Sequence, residues 1–144
     1  MRINLTDVDD RNFEALPAGR YVLKVTDYEM RETKGDGKLG KGVPMINWEF
    51  TVLNDDQYKG RKLWMNTVIH ETTLFSLKGL LRATGAFTEE DLRGEIDFEP
   101  DEVVGAEVIG VVSQREYNGD KVNDVKRVKP LSDEDKEEAG SLLP

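Results

Sequence analysis

In GRYVLKVTDYEM (residues 19–30), Tyr21, Leu23 and Val25 fall on alternate positions between polar neighbours. A period of two predicts a β-strand with one buried face. MINWEFTVL (45–53) repeats the alternation with Ile46, Trp48, Phe50 and Val52 on one side. Turn chemistry at Asn54, Asp55, Asp56, Lys59 and Gly60 then leads into a third strand, RKLWMNTVI (61–69). The period changes in ETTLFSLKGLLRATG (71–85), where Leu74, Leu77 and Leu81 recur at helical spacing, with Thr72 or Thr73 as N-cap and Gly85 as stop. After an acidic connection with a short helical turn at 88–92, strand character returns in AEVIGVVSQREY (106–117) and KVNDVKRV (121–128). The Asn118-Gly119 pair between them predicts a hairpin, because both residues tolerate the positive φ of a type I′ turn.

Three strands, one helix and two strands is the order of a mostly β, five-stranded, partly open OB-fold barrel with its helix between strands 3 and 4. A chain of 144 residues suits one such domain, over residues 1–130. Residues 131–144 hold five acids, one lysine and little apolar content, and are expected to form an acidic, disordered tail.

Composition narrows the chemistry. The sequence has no cysteine and one histidine, His70, which removes thiolate and histidine-rich metal sites. Ser76 and Ser113 have no histidine placed to activate them, and the acids Glu89, Glu90 and Asp91 lie in a solvated connection. No enzyme activity, metal or cofactor is expected. With no apolar run near the ~20 residues of a membrane span and an acidic start, the chain is expected to be soluble and cytoplasmic.

A net charge of −9 argues against a nucleic-acid partner until its distribution is considered. The acids concentrate in the tail and in residues 71–105, whereas residues 31–42, 57–62 and 115–129 each carry an excess of Lys and Arg. The first of these, RETKGDGKLGKGVPM (31–45), satisfies G-x-G-x-x-G and nearly satisfies G-x-x-x-x-G-K. Both phosphate-binding patterns need a helix immediately downstream, and Pro44 followed by an alternating strand rules that out. What is left is a flexible basic loop between the first two strands. In an OB-fold it flanks the binding face on strands 2 and 3 together with the loop between strands 4 and 5. Arg31, Lys34, Lys38 and Lys41 would then join Lys59, Arg61, Lys62, Tyr117 and Lys121 in a phosphate-neutralising groove. Trp64 points outward with Lys62 and Asn66 if Leu63 and Met65 face the core; the alternative is burial under a loop. Trp48 is read as core, while Tyr28 and Tyr58 border the groove and either stack on bases or cap the barrel.

Several segments together resemble a phage-encoded family long catalogued as a domain of unknown function and regarded as OB-fold single-stranded-DNA-binding proteins of replication and recombination cassettes. They are LPAGRYVLKVTDYEMRETKGDG (16–37), FTVLNDDQYKGRKLW (50–64), LLRATGAF (80–87) and EYNGDKVNDVKRVKP (116–130). The resemblance implies non-catalytic, sequence-independent binding of single strands through Lys34, Tyr58, Lys59, Arg61 and Trp64. The chain departs from the family in a longer GDGKLGKGVP loop and in an end, SLLP, without the terminal Phe of many single-strand-binding tails.

The expected function is therefore sequence-independent coating of single-stranded DNA in phage replication or recombination. The tail residues Asp133, Glu134, Asp135, Glu137, Glu138, Leu142 and Leu143 would dock replication or recombination proteins. The main rival is a protein-interaction or DNA-mimic module of a phage recombination cassette without direct DNA binding. A small viral structural subunit is a third reading.

Overall fold

A computed structural model of the chain describes residues 1–4, 15–35 and 40–131. Lys38 and the tail residues Asp133, Glu134, Asp135, Glu137, Glu138, Leu142 and Leu143 lie outside these residues. The described chain is mostly β, with strands β1 (Gly19–Lys34), β2 (Lys41–Val52), β3 (Lys62–Val68), β4 (Glu107–Tyr117) and β5 (Asp120–Pro130), and one α-helix, α1 (Leu74–Thr84). All neighbouring strands are antiparallel, in one sheet of order β3-β2-β1-β4-β5.

β1 organises the sheet. Its first half pairs with β4 and its second half with β2, and the ladder shifts between Val25 and Asp27, where Thr26 is the extra residue. The Thr26 hydroxyl bonds the Glu49 carboxylate at 2.7 Å. The alternating residues enter the core as their period predicts: Leu23, Val25, Trp48, Phe50 and Val52 are fully buried. The indole N–H of Trp48 donates to Thr67 Oγ1 at 2.9 Å, so the one polar atom of this large side chain is satisfied inside.

Barrel closure is not made. The outer strands β3 and β5 approach each other but form no ladder. β3 has only seven residues, and α1 packs across both strands and covers the seam. In α1 the buried stripe is Leu77, Leu80 and Leu81, with Ala83. Leu74, expected on that stripe, is exposed because the helix begins there and Leu80 occupies the core position. Thr73 stands at the N-cap, yet its hydroxyl bonds the Val68 and His70 carbonyls rather than a helical N–H. Gly85 closes the helix in the left-handed conformation, φ 73°.

Residues 31–45 differ from the expected flexible loop. β1 and β2 run on as a paired hairpin, with Arg31 opposite Met45, Glu32 opposite Pro44 and Lys34 opposite Lys41. The Thr33 hydroxyl ties its two arms, donating to the Gly40 carbonyl at 2.6 Å and accepting from the Val43 N–H at 3.0 Å. Gly40 and Gly42 take positive φ, which accounts for glycine at these two positions. A strand beginning at Lys41 also excludes a phosphate-binding helix after the glycine pattern. The Asn118-Gly119 turn has the expected positive φ angles of 52° and 85°.

Candidate nucleic-acid interface

Strict alternation places Trp64 on the outer face of β3. Leu63 is buried and Met65 packs on the core, so Lys62, Trp64 and Asn66 turn outward. Trp64 is 53% exposed, with no burial under a loop, and lies across the ladder from Glu49.

The cations expected around it are less available than their sequence positions suggest. Arg31 reaches the same face but is bonded to Glu29 at 2.8 Å, and the guanidinium holds the Glu29 carboxyl below its ordinary value. Lys62 donates to Thr51 Oγ1 at 2.7 Å and stands 3.8 Å from the Glu49 carboxylate. Asp27 lies in the same shallow depression as Arg31 and Trp64. The outer face of β1–β3 therefore carries its own counter-charges.

The other expected site residues are dispersed. Lys34 and Lys41 are exposed cross-strand neighbours on the β1–β2 hairpin. Lys59 and Arg61 flank Gly60 in the β2–β3 connection, and Tyr58 packs against the core beside them. Tyr28 also packs inward, its ring 5.9 Å from that of Trp48, and the Asp101 carboxylate raises its hydroxyl above the usual phenol range. This inward packing favours the capping role for both tyrosines over stacking. Tyr117 and Lys121 are exposed at the β4–β5 turn, with the Arg115 guanidinium 5.5 Å above the Tyr117 ring.

A groove that the sequence did not reveal opens beside Trp64. It follows the unclosed seam between β3 and β5, beneath the first turns of α1, with a volume of about 480 Å³. Its walls include Trp64, Asn66, Phe75, Arg115, Lys126 and Arg127. Phe75 is 72% exposed. At the floor, the Asn47 amide donates to the Asn66 side-chain carbonyl at 2.7 Å.

Two signals for this groove were present in the chain. Phe75 stands off the apolar stripe of its helix, and Val122, Val125 and Val128 recur every third residue in a strand, where a single face demands an even step. The ladder supplies the reason for the step from Val125 to Val128. Val112 pairs with Val125 but Val111 pairs with Arg127, so Lys126 is an extra residue bulged from β5.

A sequence model of the family described as "Protein of unknown function (DUF669)" matches residues 3–140 of this chain. The chain belongs to the DUF669 family. The match takes in all five strands, α1 and both aromatic walls of the groove, so the groove lies within the part shared with DUF669. Among curated proteins none matches the chain significantly. Among the described residues no helix is long and apolar enough to cross a membrane.

Proposed function

We propose that the protein is a sequence-independent single-stranded-DNA-binding protein of the OB-fold type that coats exposed strands in phage replication or recombination. The observation that carries this reading is Trp64, a half-exposed indole between Lys62 and Asn66 on the wall of a groove that also holds Arg115, Lys126 and Arg127. Bases of any identity have a π-face to stack on an indole, and a cationic wall neutralises the backbone. The strand order supports the OB-fold reading: β1 is shared between a β1–β2–β3 meander and β4–β5, with the helix between β3 and β4. Recruitment of replication or recombination proteins through residues 131–144 belongs to the same proposal.

The acids of the Trp64 face, Asp27, Glu29 and Glu49, favour a second reading, a protein-interaction or DNA-mimic module of a phage recombination cassette. Fluorescence anisotropy with labelled oligo-dT and duplex DNA at two salt concentrations separates the two. The first predicts preference for the single strand and an affinity that falls steeply with salt as counterions are released, with a logarithmic slope of about −0.7 per neutralised phosphate. No oligo-dT binding at low salt would transfer the assignment to the second.

A further inference from the structure

We infer that the nucleic-acid backbone runs through the seam between β3 and β5, held by Lys126 and Arg127, while Trp64 and Phe75 offer stacking faces on its walls. The inference rests on the single-strand-binding reading and assigns its path.

Charge is the first ground. On the outer face of β1–β3, Arg31 and Lys62 stand beside Glu29 and Glu49, so a phosphate would have to compete with carboxylates already in place. Along the seam, Asp124 is engaged by the Nε–H of Arg115 at 2.8 Å. Among the described residues neither Lys126 nor Arg127 forms an ion pair. The seam therefore has an excess of positive charge that the sheet face lacks.

Backbone geometry is the second. Consecutive residues of a regular strand point to opposite faces, which would aim only one of Lys126 and Arg127 at the groove. The bulge at Lys126 breaks that alternation, and both residues line the groove. Val125 stays buried on one side and Val128 half-buried on the other, so the strand keeps its core contacts while presenting two adjacent cations.

Space is the third. Gly79 lies inside α1, where glycine weakens a helix, and it borders the groove. A Cβ built there would meet nothing within 4 Å, so packing within the protein does not require the glycine. On the inferred path, the open surface over Gly79 leaves room for a strand to pass close to the helix backbone.

The test is the salt dependence of oligo-dT affinity in the full chain, in two double variants and in F75A, with melting temperatures confirming that each is folded. K126A/R127A removes two phosphate contacts and is expected to reduce the slope of log K against log salt by about 1.4. F75A is expected to weaken binding roughly 5- to 150-fold, the loss of one stacked base. A wild-type slope in K126A/R127A together with a reduced slope in K34A/K41A would place the path on the hairpin and overturn the seam while leaving single-strand binding intact. Failure of the wild-type protein to bind oligo-dT at low salt overturns both.

Discussion

Trp48 and Trp64 sit one ladder step apart, Trp48 opposite Met65 and Glu49 opposite Trp64, yet one is fully buried and the other half-exposed. The two-residue period alone accounts for the difference, since neighbouring ladder positions face opposite sides of the sheet. Glycines at two other positions separate packing from function in the same way. A Cβ at Gly110 would overlap the Leu23 side chain, which is fully buried and has nowhere to move. Gly110→Ala is expected to destabilise the fold by about 1–3 kcal/mol in chemical denaturation, the usual cost of overpacking. At Gly79 the space is open, so Gly79→Ala should raise stability by roughly 0.5–1 kcal/mol through helix propensity while lowering oligo-dT affinity. Increased stability with unchanged affinity would show that no strand approaches the helix there.

At the scale of elements, the strands and the helix were legible because their periods are strong, and the sequence places every one of them within a few residues. The hairpin ends were not. Gly35, Gly40 and Gly42 look like linker glycines, but all three are left-handed, Gly42 within β2 and Gly35 and Gly40 directly beside the last ladder pair, Lys34 and Lys41. The seam groove was hidden for a related reason: it depends on β3 and β5 failing to pair and on a bulge at Lys126, both of them products of tertiary geometry. The sequence marks residues 115–129 as basic, but its hairpin signal points to Tyr117 and Lys121 at the tip rather than to Arg115, Lys126 and Arg127 along the strands. The connection after α1 carries a testable electrostatic device. Thr88 and Asp91 cap each other, the Thr88 N–H donating to the Asp91 carboxylate and the Asp91 N–H to the Thr88 hydroxyl, each at 3.0 Å. Arg82 donates to Glu89 at 2.7 Å. The Thr88 N–H holds the Asp91 carboxyl below its ordinary 3.8, and the Arg82 guanidinium holds Glu89 below 4.5. Since both folded values lie below the unfolded ones, the stabilisation is complete above about pH 4.5 and is lost as the pH falls through the depressed folded values. Carboxyl NMR titration should therefore give midpoints for Asp91 and Glu89 below these ordinary values, with Thr88→Val, which removes the hydroxyl but keeps the N–H, returning Asp91 only part of the way toward 3.8. Unshifted midpoints in the wild-type protein would mean that the cap and the ion pair do not persist in solution.

For the molecule as a whole, a net charge of −9 and a nucleic-acid partner are compatible only if charge is segregated. The acids of residues 89–107 are exposed along one connecting stretch, while Arg115, Lys126 and Arg127 gather on the seam. Such a distribution predicts binding that is weak overall, local and strongly salt-dependent. It also gives the protein a built-in optical reporter. Trp48 is sealed in the core and Trp64 is the exposed indole, so a ligand stacking at the groove changes only part of the intrinsic emission. The most direct test is titration of the wild-type protein with oligo-dT at low salt, following tryptophan emission and anisotropy together, beside Trp64→Phe. Partial quenching that salt reverses, and that Trp64→Phe abolishes, is the predicted result. Saturable binding by anisotropy with unchanged wild-type emission would contradict the placement of Trp64 in the interface, and no binding at all would contradict the function itself.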